Sequence, residues 1–230
     1  MIIDFTSAKI ESQNFMLRSF NQSPGIGLDN RQQIVVRENR VWECRIDMAP
    51  MFDGDWRQAL AWGDDAHGRA SVFLMAVYNA GLPVGSASEI LLAAGYTAQE
   101  ISQGWTPFST GEPFSTGEGF ALPSTGEPTA SGNYSAGATT IRFAGVFSSI
   151  LGPGHIFSHN DFIYRVAQNT DGNIRFNPPL RSAIADGDAL LVKEPRTKMR
   201  LQSDDGWGQF VAHNFITREM TIEFVEAFDR

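Results

Sequence analysis

The chain has 230 residues, 42% hydrophobic and 19% charged, enough for one large or two small globular domains with a buried core. Eighteen basic against 26 acidic side chains leave a net charge of −8, so no basic face for reading nucleic acid is expected. A single cysteine, Cys44, builds neither an internal disulfide nor a thiolate metal cage, and no apolar run approaches the ~20 residues of a membrane-spanning helix. Residues 1–13 lack the basic start, apolar stretch and small-residue cleavage site of a secretory leader, and none is expected there.

The first fifty or so residues alternate like strands. Gln13 to Phe20 is one, ending at a Ser-, Pro- and Gly-rich cluster over 21–27. Arg31 to Arg37 is a second, and Arg40 to Met48 a third, with Asn39-Arg40 as the hairpin turn between them. The third strand sets Trp42, Cys44 and Ile46 on one side and Glu43, Arg45 and Asp47 on the other. A period of two with one apolar face is a half-buried antiparallel strand. A helix fits Asp55 to Ala66, capped by Asp53 or Asp55, and Ser71 to Tyr78 returns as a strand. Ser88 to Ala94 fits a second short helix.

From Gly104 the composition changes. Ser-Thr-Gly-Glu occurs three times, at 109–112, 115–118 and 124–127, interspersed with Phe114, Phe120 and Leu122. Gly, Ser, Thr and Pro at this density oppose both helix and central strand, so a long irregular arm is expected. Past Asn133 short strands follow closely: Thr139–Ala144, His155–Ser158, Asp161–Val166, Asn173–Phe176 and Ala189–Val192. Turns at His159-Asn160, Asp171-Gly172 and Asp186-Gly187 separate them, the pattern of a small barrel or sandwich. Lys198–Leu201 and the alternation ending in Met220, Ile222, Phe224 and Glu226 close the chain. A terminal strand needs an earlier partner, so this one is expected to rejoin the first sheet.

The expected fold is therefore mainly β. Residues 1–100 with 196–230 form a β-sandwich with one short helix. Residues 101–133 form the arm, and 134–195 an inserted small β-barrel.

Catalytic patterns are sparse. His155 and His159 stand four apart, a zinc spacing on a helix, but the Gly-Pro-Gly before them and Asn-Asp after them make a hairpin. Asp64-Asp65, Asp186/Asp188 and Asp204-Asp205 are carboxylate pairs in turns, and glycosidases use such pairs only across a cleft. Leu122-Pro123-Ser124-Thr125-Gly126 spells a sortase signal without the hydrophobic stretch and basic tail that must follow it. Cys44 reads as a small buried hydrophobe rather than a nucleophile. Trp42, Trp56, Trp62, Trp105 and Trp207 are candidates for sugar stacking, although Trp42 and Trp56 fit core faces better. No catalytic residue, metal ligand or cofactor site is assigned.

A set of phrases points further. Gly172-Asn173-Ile174-Arg175-Phe176-Asn177-Pro178-Pro179-Leu180-Arg181, continuing to Asp186-Gly187-Asp188, resembles a segment of tail proteins from long-tailed bacteriophages, as does Asp161–Val166 before it. Met199-Arg200-Leu201, Trp207 and Thr221–Phe228 follow in the order found there. Upstream, Trp42, Ala49-Pro50-Met51, the helix with Trp56, and His67-Gly68-Arg69 ahead of Phe73 resemble its first half, with Gly104-Trp105 in a similar place. The chain resembles the distal tail protein (Dit-like) class or a closely related minor tail protein. The resemblance implies a non-enzymatic virion protein, made in the host bacterial cytoplasm and built into the tail. It would be a homo-oligomer, with a hexameric ring joining the tail tube protein to the baseplate hub protein, and without nucleic-acid or membrane binding. Phe108, Phe114 and Phe120 of the arm are the candidate subunit contacts. The alternative is a carbohydrate-binding module for a host-surface glycan.

Overall fold

The computed structural model describes residues 2–6, 8–21, 40–50, 55–79, 81–83, 86–107, 119–207, 212–213, 216–217 and 220–228. In chain order the strands are β1 (Ile2–Asp4), β2 (Ile10–Ser19), β3 (Arg40–Met48), β4 (Val72–Ala76), β5 (Trp105–Thr106), β6 (Phe120–Ala121) and β7 (Thr129–Ala130). They continue as β8 (Thr140–Ala144), β9 (Ile156–His159), β10 (Phe162–Thr170), β11 (Asn173–Asn177), β12 (Arg196–Leu201), β13 (Ala212–His213), β14 (Ile216–Thr217) and β15 (Met220–Glu226). The helices are α1 (Asp55–Asp65), α2 (Ala87–Ala93), α3 (Ala98–Gln103) and α4 (Phe147–Ile150). Strand outweighs helix, 41% to 16%, and the fold is mainly β. The strand expected over Arg31–Arg37 and its turn at Asn39 lie outside the described residues.

Two units divide the chain: Met1–Val77 with Thr197–Arg230, and Tyr78–Arg196 between them in sequence. The first unit is built on a six-stranded sheet in the order β1-β4-β12-β15-β3-β2. The alternation in β3 buries Trp42, Cys44, Ile46 and Met48, and that in β15 buries Ile222 and Phe224. β15 lies between β3 and β12, with Phe224 opposite both Cys44 and Leu201. On its polar side, Asp47 accepts hydrogen bonds from the Ser12 and Thr221 hydroxyls, each at 2.6 Å, and so ties β2, β3 and β15 together. Those two bonds, with Arg45 nearby, hold the Asp47 carboxyl below its ordinary range.

An aromatic cluster completes this core. Phe5 contacts Trp62 edge-on at 4.9 Å, and Trp207 stacks on Phe73 at 5.5 Å with an interplanar angle of 11°. The Trp207 indole N–H donates to the Ala59 carbonyl of α1 at 3.0 Å. That bond draws the ring against Gly63, where any Cβ would collide with the indole. Glycine is therefore required in the interior of α1, although it weakens a helix.

The second unit carries the sheet β7-β8-β11-β10-β9, a half-barrel. Asn160-Asp161 and Asp171-Gly172 make its tight hairpins, each residue with positive φ. Residues 189–192, expected as a strand, instead form single bridges to both sheet edges: Ala189 with Thr129 of β7, and Leu191 with Ser158 of β9. Leu190 N–H donates to the Pro128 carbonyl at 2.9 Å, while Ser158 and Leu191 exchange bonds at 2.8 and 2.9 Å. Both edges are thereby joined through one segment.

Two expected boundaries shift. Residues 78–100 belong with the second unit rather than the first, because Leu82, Ile90 and Leu91 bury in its core beside Phe143, Phe157 and Phe176. The arm expected over 101–133 is not irregular throughout its described part. It supplies β5, β6 and β7, and Ala130 pairs with Phe143 inside the barrel sheet.

Gly63→Ala gains about 1 kcal/mol of helix propensity but forces Trp207 off Ala59 and Phe73, which costs about 2–3 kcal/mol. Urea unfolding followed by tryptophan fluorescence is expected to show a net loss of stability.

Candidate functional site

Of the residues singled out for contact, Phe120 lies on a short hairpin that follows helix α3. Thr97 and Glu100 form a reciprocal capping box at the start of α3, and Gly104, with φ of +79°, ends the helix in the left-handed region. The chain then enters β5, whose Trp105 and Thr106 pair with Ala121 and Phe120 of β6. The Glu100 carboxylate accepts from the Thr106 hydroxyl, the Thr97 hydroxyl and the Thr97 N–H, which together lower its pKa. Helix and hairpin are thus locked by one acid. Gly119 lies flat against the Thr106 carbonyl and the Trp105 ring, leaving no room for a side chain. Phe120 is 51% exposed at this base. Phe108 and Phe114 lie outside the described residues.

Beside it, Trp105 is half-buried in an open groove of about 380 Å³ with Thr97, Gln99, Glu100, Gln103 and Pro107. Gln99 and Gln103, four apart, fall on one side of α3.

Past β6 the third copy of the repeat enters the barrel. The Ser124 hydroxyl accepts from Gly126 N–H at 3.2 Å, closing a tight turn. Glu127 then accepts from two successive backbone amides, Val192 at 2.8 Å and Lys193 at 3.2 Å. Pro128 is buried, and its carbonyl takes the Leu190 N–H. A carboxylate with two acceptor oxygens satisfies adjacent N–H groups that no strand pairs. This clamp escaped the sequence reading, since low complexity suggested an irregular arm. The usable signal was the fixed order of hydroxyl, glycine, acid and proline.

Other candidates resolve differently. His155 Nδ1 accepts from Gly152 N–H at 2.9 Å. His159 is buried between the Ser182 hydroxyl and the Asp188 carboxylate, each at 3.5 Å. Among the described residues no group of three or more His, Cys, Asp or Glu side chains could hold a metal ion. Asp186 and Asp188 accept from the backbone N–H groups of Gly132 and Ala185, at 2.6 and 2.8 Å. Asp64, Asp204 and Asp205 line one groove beside Trp207, which sequence spacing did not suggest, and Asp204 accepts from Arg69 N–H at 2.9 Å. Trp42 and Trp207 are buried, Trp62 is half-buried against Phe5, and the Trp56 side chain lies outside the described residues. Cys44 is buried in the first core, and burial pushes its thiol up, away from the reactive thiolate.

Burial also lowers the His155 pKa, so the folded state favours the neutral ring. Its contribution to stability is full above the unfolded value of about 6.5 and is lost as pH falls through the lower folded value. Thermal unfolding between pH 7.5 and 5.5 is expected to show a flatter profile for His155→Asn, which keeps an acceptor for Gly152, than for the native chain.

No protein-family model matches the chain, and no curated protein matches it.

Proposed function

We propose that this chain is a structural virion protein, a non-enzymatic subunit of a ring at the distal end of a bacteriophage tail that joins the tube to the baseplate hub. The observation that carries the reading is where the resembling phrases fall in the fold. Met199-Arg200-Leu201 pairs residue for residue with Phe224-Val225-Glu226, and that strand pairs in turn with β3, which bears Trp42. In the second unit, Ile174, Phe176, Leu180 and Ile184 from the longest phrase are all buried in the barrel core. Within each unit, therefore, the phrases belong to the framework.

A second feature supports assembly. The outer strands of the six-stranded sheet each present a large exposed apolar residue, Ile2 on β1 at 55% and Met16 on β2 at 51%. Two different edges meeting head to tail generate a closed ring when the rotation permits. Negative-stain images and solution mass of the purified chain are expected to show rings of about six subunits, lost in an Ile2→Glu, Met16→Glu variant. A monomer at tens of micromolar, together with absence of the protein from purified virions, would overturn the reading.

The Trp105 groove favours a second reading, binding of a neutral glycan. A flat aromatic face flanked by Gln99 and Gln103 offers stacking and amide hydrogen bonds. Glycan titration followed by tryptophan fluorescence is expected to saturate in the native chain and not in Trp105→Ala; no response in either removes this reading.

A further inference from the structure

The five strands β7 to β11 hold no aspartate, glutamate or lysine, and their arginines are Arg142, Arg165 and Arg175. Asp161 and Asp171 fall in the hairpins at the sheet's ends instead. A net charge of −8 concealed this basic face.

Pairing sets the three arginines on one side. Arg142 lies opposite Asn173, Gln168 opposite Arg175, and Arg165 opposite Asn177. Opposite residues share a face, and so do residues two apart on one strand. Arg142, Arg175 and Arg165 therefore step diagonally across β8, β11 and β10, one to a strand. Diagonal neighbours in a sheet stand about 7–8 Å apart. Thr140, Asn173, Gln168 and Asn177 occupy the places beside them. Ile141, Ile174, Phe176 and Val166 are buried on the other side, so the core does not need the arginines. Arg142 and Arg175 are exposed, and neither guanidinium makes an ion pair with a described residue. Arg165 is half-buried.

A guanidinium fork matches two phosphate oxygens at once. Phosphate diesters joined through three carbons stand six bonds apart. Three bonds of extended chain span about 3.8 Å, so successive phosphates fall at roughly 7 Å, the step of the diagonal. The hydroxyl and amide side chains between the arginines suit the hydroxyls of a polyol. None of the residues that β8, β10 and β11 turn to this side is aromatic, so nucleic-acid bases find no stacking platform on it.

We propose that the outer face of β8, β11 and β10 binds a linear polyol phosphodiester, with Arg142, Arg175 and Arg165 meeting successive phosphates. The site lies within one unit and needs no neighbouring subunit, so it does not depend on ring formation.

Calorimetric titration of the full chain with synthetic 1,3-linked poly(glycerol phosphate), over a series of salt concentrations, tests this. The native chain is expected to show saturable binding that weakens with salt. Arg142→Gln with Arg175→Gln is expected to weaken it more than about tenfold and to remove about 1.4 from the log–log salt slope. The melting temperature is expected to stay at the native value. Arg18→Gln with Arg45→Gln removes the same charge from the first unit, where these arginines pair with Glu43 and Asp47. That pair is expected to bind within about twofold of native. Arg142→Lys with Arg175→Lys keeps the charge without the forks and is expected to fall between native and the glutamine pair. If the glutamine pair does not fold, the lysine pair decides, and native affinity in it overturns the proposal. So does absence of binding by the native chain at low salt, or native affinity in a folded glutamine pair. Equal or tighter binding of oligothymidylate or polyglutamate also overturns it, since the occupant would then be a nucleic acid or an acidic peptide.

Discussion

A β-sheet leaves a row of unpaired backbone groups at each of its two edges, and the second unit depends on how these are satisfied. One short segment answers for both edges, bridging β7 through Ala189 and β9 through Leu191. That arrangement leaves its own next amides, at Val192 and Lys193, without a strand partner. Glu127 supplies the missing acceptors from a part of the chain that is not itself regular structure. A polar side chain here does what a further strand would otherwise do, and the barrel core of Phe143, Phe157, Tyr164 and Phe176 forms behind it.

The first unit solves a different problem. Its sheet has short β1 at one end and ten-residue β2 at the other, so the central strands carry the core. Trp207 links the helix to that core, bonding to Ala59 while its ring lies on Phe73. The outer strands of this sheet carry exposed apolar residues, Ile2 on β1 and Met16 on β2.

Much of this was legible in the sequence because period-two alternation is a direct consequence of backbone pleating. Trp42, Cys44 and Ile46, and later Met220, Ile222 and Phe224, announce a buried face without any partner being known. The hairpin at Asp171-Gly172 is equally local, and the turn expected at His159-Asn160 falls one residue later, at Asn160-Asp161, where both residues take positive φ. Features that depend on distant pairing were not legible. Ala189–Val192 alternates like a strand but touches each neighbour through a single bridge. Helix α3 escaped notice although Thr97 and Glu100 spell a capping box, because only six helical residues follow. The acids around Trp207 meet from segments more than a hundred residues apart. At the candidate site, Phe120 was anticipated as a contact, whereas the Glu127 clamp was hidden by the repetition that defines it.

The position of β15 bears on how the protein is made. All strands of the second unit are contiguous in the chain, and all are synthesised before β12 and β15. In the first unit β3 and β4 are joined only through those two late strands, which lie between them in the sheet. The second unit needs only contiguous chain for its sheet, whereas the six-stranded sheet needs strands from both sides of that insertion and carries the larger loop-closure cost.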